Sequence, residues 1–173
     1  MGSTIEEDNS VFKGSFPLRL HGVYPKAQIQ VAIGTSTLER MSSNREGCER
    51  NTLDGVPVEA MFVDIIKDRE AGSNTNYKDF AQSSVKFHWE SQNKTSQQSL
   101  VGQSYIKGER EMLLFVRKQQ NAAENKSRTL GYVYLGKVTL ESYEGNRPMQ
   151  IVWRLKAAMP GAVYEYAAIL ANA

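Results

Sequence analysis

An α+β fold is predicted for this chain: a strand-rich curled sheet or small β-barrel with a few flanking helices. Three observations predict it. Several segments alternate apolar and polar residues at the two-residue period of a strand. One early segment carries helical spacing instead. Connections are mostly local, and no glycine-rich strand-to-helix turn of the doubly wound kind is present.

Residues 1–15 are polar and acidic, with Glu6, Glu7 and Asp8, and are expected to form a flexible tail. Residues 16–173 are expected to form a single globular domain, with Leu18, Leu20 and Val23 as its first apolar positions after Phe16. Tyr24 to Ile33 is the best helix candidate, because Pro25 suits a first turn and Gly34 a stop. A second short helix is expected over Ser36 to Met41. Val56 to Ile66 mixes alternation with a continuous apolar run, as a central strand does. Val85 to Glu90 alternates, placing Val85, Phe87 and Trp89 on one face and Lys86, His88 and Glu90 on the other. Met112 to Lys118 is a further strand. Tyr132 to Tyr143 alternates in two parts around Gly136, which predicts a bulge or bend. Met149 to Leu155 alternates again, and Ala162 to Ala171 is expected to be a short helix. The intervening loops are 68–76, a flexible connector; 91–98, polar; and 119–128, an exposed hairpin tip.

Composition narrows the function classes. The chain has 173 residues, enough for one real core. No apolar run approaches the roughly 20 residues that span a bilayer, and the N-terminus has no apolar signal region. Cys48 is the single cysteine, so no internal disulfide can form. A cytoplasmic protein without membrane attachment is the expectation. The formal net charge is +2, but 10 Lys+Arg face 6 Asp+Glu from Tyr105 onward. That excess fits a modest phosphate-contacting face, and an ordinary solvated surface equally well.

No catalytic set, metal site or cofactor site is expected. One Cys and two His, His21 and His88, make no zinc pattern. Asp64, Asp68 and Glu70 cluster at a strand end but read as solvated carboxylates. Cys48 lacks a neighbouring base in sequence.

Three local clusters remain. Phe87-His88-Trp89-Glu90-Ser91-Gln92 combines an aromatic, an imidazole and an amide at a strand end. Such groups stack on bases and read base edges; by composition alone Trp89 reads first as a core anchor, as aromatics at strand spacing usually are. Gly102 to Gly108 frames Tyr105 and Lys107 between glycines, as either a phosphate cradle or a simple turn. Glu144-Gly145-Asn146-Arg147-Pro148 reads as a tight hairpin turn, with Arg147 at the tip and Arg154 alternating with the core face of the next strand.

Together these segments carry a resemblance. FHW-E-SQ, then T-S, S-x-x-G-Q-x-Y-I, LLFVR, Y-x-YLG-x-V and EGNRPM-x-I-x-WRL run in order from about Leu18 to Ala158. The pattern resembles an uncharacterised module found at the C-terminal end of bacterial helicase-like proteins, many with a phospholipase-D-type nuclease domain. The resemblance implies a part in restriction or antiviral defence, with helicase or nuclease domains as partners in cis or trans. By analogy it implies a PUA- or SRA-like barrel that holds a modified or flipped base in an aromatic pocket.

The expected function is therefore a non-enzymatic DNA-binding module. Its pocket would be Trp89, His88 and Tyr105, its edge readers Ser91 and Gln92, and its phosphate contacts Lys107, Arg147 and Arg154. The alternatives are a protein-interaction module regulating a helicase, or a small nuclease using His88 with Asp64, Glu90 or Cys48.

Overall fold

The computed structural model describes residues 16–37, 39–42, 47–65, 78–118 and 131–168. The expected tail, the 68–76 connector and the 119–128 hairpin tip lie outside the described residues. Among the described residues eight strands form one mixed sheet: β1 (Val23–Tyr24), β2 (Cys48–Leu53), β3 (Val56–Ile65), β4 (Phe80–Ser83), β5 (Lys86–Glu90), β6 (Glu111–Lys118), β7 (Tyr132–Glu144) and β8 (Gln150–Leu155). Three helices flank it among the described residues: α1 (Lys26–Ala32), α2 (Leu100–Lys107) and α3 (Gly161–Ala167). The strand order is β2-β3-β6-β7-β8-β5-β4, with β1 added beside β7. Of the two predicted forms, the curled open sheet is the one adopted; no ladder joins β2 to β4 among the described residues.

β3 and β6 pair in parallel at the centre, from Val58 opposite Glu111 to Ile65 opposite Lys118. All other ladders are antiparallel. Their central position explains the near-continuous apolar runs, because both faces of these two strands are buried. One face carries Met61, Val63, Met112, Leu114 and Val116, and packs with Trp89, Trp153 and Tyr105 beneath α2 and α3. The other carries Ala60, Phe62, Leu113 and Phe115, and packs with Tyr132, Tyr134, Ile29 and Ile33 beneath α1. β7 bends where expected: Gly136 has φ 89°, and the β6 register slips between Leu114 and Phe115.

Several sequence expectations are corrected. Ser36 to Met41 is no helix. The Thr37 hydroxyl accepts from the Glu39 and Arg40 amides instead, a local turn that competes with helical bonding. β2, β4 and α2 were not predicted as regular elements. β2 and β3 form a hairpin through Asp54-Gly55, both at positive φ, the two-residue turn that suits strand twist. The Gly102–Gly108 stretch is neither a cradle nor a plain turn: it lies in α2 and its cap. Ser99 caps this helix by accepting from the Gly102 amide at 3.1 Å, and Gly108 ends it in the left-handed region at φ 65°.

Candidate functional site

The three clusters singled out in the sequence meet in space. The Ser91 amide donates to the Met149 carbonyl at 2.9 Å, and the Met149 amide returns a bond to Ser91 Oγ at 2.9 Å. The Arg147 amide donates to the Thr95 carbonyl, and the Gln97 amide to Asn146 Oδ1 at 2.7 Å. Gln97 Nε2 also reaches the Gly145 carbonyl, while Gln103 Nε2 on α2 donates to the Gln97 carbonyl. Loop 91–99, the turn 145–148 and the start of α2 are thus one hydrogen-bonded body. Gly102 allows the closest approach: a Cβ there would sit 1.9 Å from the Ser96 carbonyl oxygen.

This junction seats α2 over the sheet and fixes Tyr105. Tyr105 is 3% exposed, and its hydroxyl donates to Glu59 Oε2 at 2.6 Å. Arg50 completes the network, donating through Nε to Glu59 Oε1 at 2.7 Å and through Nη2 to the Tyr105 oxygen at 3.3 Å. A fully buried carboxylate is tolerable only with such matching. Burial, followed by the nearby acidic groups, drives the Tyr105 hydroxyl far above its ordinary range. Burial, then the Glu59 charge, does the same to the Cys48 thiol.

Beside α2 the structure opens a cleft of about 260 Å³. Its walls are the second half of α2, the entry to β6 around Arg110–Met112, and β7 from Lys137 to Leu140. Trp153 and Tyr105 supply aromatic wall. Lys107, Arg110 and Lys137 supply cations. Lys137 pairs with Glu111 at 2.7 Å. Lys107 and Arg110 enter no ion pair among the described residues.

The predicted site residues therefore divide. Tyr105 and Lys107 line the cleft. Trp89 is not among the lining residues; its ring packs in the core behind the cleft, 5.7 Å from Tyr105 and 6.0 Å from Trp153. His88 cannot share a pocket with Trp89, because adjacent strand residues point to opposite faces. It stacks on Phe80 at 4.7 Å, with Nδ1 3.0 Å from the Lys78 carbonyl. The proposed pocket of Trp89, His88 and Tyr105 is thus not assembled. Ser91 is buried and committed to Met149, and Gln92 adjoins it in the junction loop. Arg147 is exposed in the turn at φ 52°, before a cis Pro148. Arg154 lies on the outer face of β8 and donates to Glu141 at 2.8 Å, so its charge is already matched. Trp153, Arg110 and Lys137 were not singled out as cleft residues. Arg110 lies two residues past the helix stop at Gly108, a position whose importance only the placement of α2 reveals.

Among the described residues, no group of three His, Cys, Asp or Glu could hold a metal ion. Asp64 is paired with Arg117, and His88 lies on a different sheet face from Cys48. Of the groups considered beside His88 for a nuclease, Glu90 shares its face of β5, whereas Asp64 and Cys48 do not. No helix is long and apolar enough to cross a membrane among the described residues.

The fold and cleft define a small strand-rich α+β domain with an aromatic-walled, cation-rimmed recess. The chain belongs to the family described as "Domain of unknown function (DUF3427)", whose model matches residues 18–167. The expectation of an uncharacterised domain over 18–158 agrees with that span. No curated protein matches the chain. Among solved structures it is similar to Arabidopsis thaliana SUVH6, crystallised in complex with SAM, at 14% identity and a TM-score of 0.47. The match covers 91% of this chain and 31% of that one, so the chain spans about a third of that protein's length.

Proposed function

We propose that this domain is a non-enzymatic DNA-binding module that holds a single base, flipped or modified, in the cleft beside α2. The observation that carries the reading is the cleft itself. A recess of about 260 Å³ lies just below the roughly 300–1,000 Å³ of ordinary ligand pockets. That size suits one flat ring system. Lys107 and Arg110 at its edge, without carboxylate partners among the described residues, suit the phosphates flanking such a base. Extruding a base costs a few kcal/mol, which stacking and hydrogen bonds in the recess must return.

The proposal extends to setting. The order of motifs resembles modules attached to bacterial restriction and defence helicases, so this domain would direct such an enzyme to its DNA. In this reading catalysis falls to the helicase or nuclease domains that the resemblance implies as partners.

Fluorescence anisotropy on labelled duplexes and single strands, unmodified and carrying modified cytosine or adenine, tests this at two salt concentrations. Binding that is selective for one modification and persists at the higher salt is expected. Weak binding to every strand, lost with salt, reduces the role to phosphate contact. No binding removes DNA as the ligand and favours a protein partner.

A further inference from the structure

Leu100 is 90% exposed, the most exposed large apolar side chain among the described residues. A lone leucine on a surface is ordinary. The position of this one is not. Helix residues at i, i+4 and i+7 share one face, so Leu100 stands in line with Ser104 and Lys107 along α2. Both of those residues line the cleft. Leu100 therefore continues the α2 wall of the cleft by one more turn, about 6 Å along the helix axis.

The backbone that carries Leu100 is held on several sides. Ser99 Oγ, one residue earlier, accepts from the Gly102 amide. Gln103 Nε2 donates to the Gln97 carbonyl, and Gly102 lies against the Ser96 backbone. The Arg147 amide ties the neighbouring turn to Thr95. An apolar side chain on so fixed a mount loses little backbone entropy when something covers it. Its surroundings are basic. Lys107 and Arg110 follow it on the cleft, and Lys94 and Arg147 are exposed on the loop and turn bonded to the start of α2. None of these four enters an ion pair among the described residues. The carboxylates on the same ridge are Glu109 and Glu144. An apolar tip among cations matches a duplex, whose phosphates flank a stack of apolar base faces.

A base drawn from a duplex into the cleft leaves a gap between its former neighbours. We propose that Leu100 is the wedge that fills this gap while the cleft holds the base. The inference rests on the nucleic-acid reading of the cleft and adds to it the residue that keeps the duplex open. Burying the leucine between base faces stabilises the opened duplex and blocks the return of the base. A single strand has no paired stack to hold open, so the wedge acts on duplex DNA alone.

Anisotropy titrations test this with wild type, Leu100→Ala and Leu100→Met. Each is titrated with the duplex, modified or not, that wild type binds most tightly, and with the corresponding single strand. Leu100→Ala removes exposed apolar surface and improves helix propensity, so thermal melts should show an unchanged or slightly more stable fold. The expected result is about tenfold weaker duplex binding by Leu100→Ala, the size of one lost apolar burial. Its single-strand affinity should be unchanged, and Leu100→Met should restore most of the duplex affinity. Undiminished duplex binding by Leu100→Ala overturns the wedge and leaves the DNA-binding reading standing. Equal losses on duplex and single strand do the same. A wild-type chain that binds neither form overturns both the wedge and the DNA-binding reading.

Discussion

Replacing Gly102 by alanine sets two physical effects against each other. Alanine is the better helix former by roughly 0.8–1.0 kcal/mol, so propensity alone makes Gly102→Ala stabilising. The geometry opposes this. The new Cβ would lie 1.9 Å from the Ser96 carbonyl oxygen, 2.9 Å from its carbon and 3.0 Å from Met149 Sδ. Real Cβ contacts are not found below 3.0 Å, so α2 or loop 91–99 must move by more than about 1 Å. The obstacle is backbone, which cannot rotate aside, and Ser96 is tied to Ser99 by three hydrogen bonds. Overpacking of this kind costs about 1–3 kcal/mol or more, and the severity here places it at the upper end. The net expectation is a loss of about 2 kcal/mol, or a Tm lower by roughly 4–8 °C for a chain of this size. Gly161→Ala is the control. That glycine begins α3 with nothing within 4 Å of a new Cβ, so only propensity acts and stability should hold or rise slightly. Thermal melts followed by circular dichroism measure both. A Gly102→Ala variant as stable as wild type would refute the tight junction between loop 91–99 and α2.

Further expectations follow from the same contacts. Tyr105→Phe keeps the ring on the cleft but removes the hydroxyl from Glu59 and Arg50, and should cost about 2 kcal/mol in urea unfolding. Desolvation, first among several causes, pushes the Asp79 carboxyl up to about 6, although it accepts from the Glu90 amide at 3.0 Å. A raised carboxyl pKa means the folded state binds the proton more tightly, so this contribution is present at low pH and lost as pH rises from about 3.8 to about 6. Asp79→Asn should therefore gain on wild type across that window, by about 1–2 kcal/mol at pH 7 in parallel denaturation series. An unchanged difference between pH 4 and pH 7 would remove Asp79 as the cause.

Much of the sheet was legible because its strands keep the two-residue period. Phe87 and Trp89 do face the core while His88 faces out, as the alternation over 85–90 indicates. That same alternation argued against placing His88 and Trp89 in one pocket, since the strand forbids it. α2 was harder to see. Its frame, Ser99 before and Gly108 after, is an ordinary helix start and stop, but Gly102 inside it suggested a loop. That glycine answers to a backbone neighbour six residues earlier, a contact that helix propensity does not encode. The Asp54-Gly55 turn was readable in principle as a hairpin signal between Leu53 and Val56. The cleft was not readable. It joins α2, the start of β6 and the middle of β7, segments brought together by the sheet order. Tyr105 and Lys107 were found through their local pattern, whereas Arg110 and Lys137 carry no local signal, and the alternation over 149–155 left Trp153 open between core and pocket.

The most direct test compares DNA affinity of the wild-type chain with that of Lys107→Glu/Arg110→Glu, using Arg154→Glu as the comparison variant. Both changes reverse surface charge, but only the first pair borders the cleft, and Arg154 is already matched by Glu141. Anisotropy titrations at several salt concentrations give affinity and the number of phosphate contacts together. The account predicts that the Lys107/Arg110 variant loses at least tenfold in affinity, with the salt slope reduced by about 2, one for each lost contact. Arg154→Glu should change affinity far less. Equal losses in both variants, or no loss at Lys107 and Arg110, would contradict the assignment of the cleft as the DNA site.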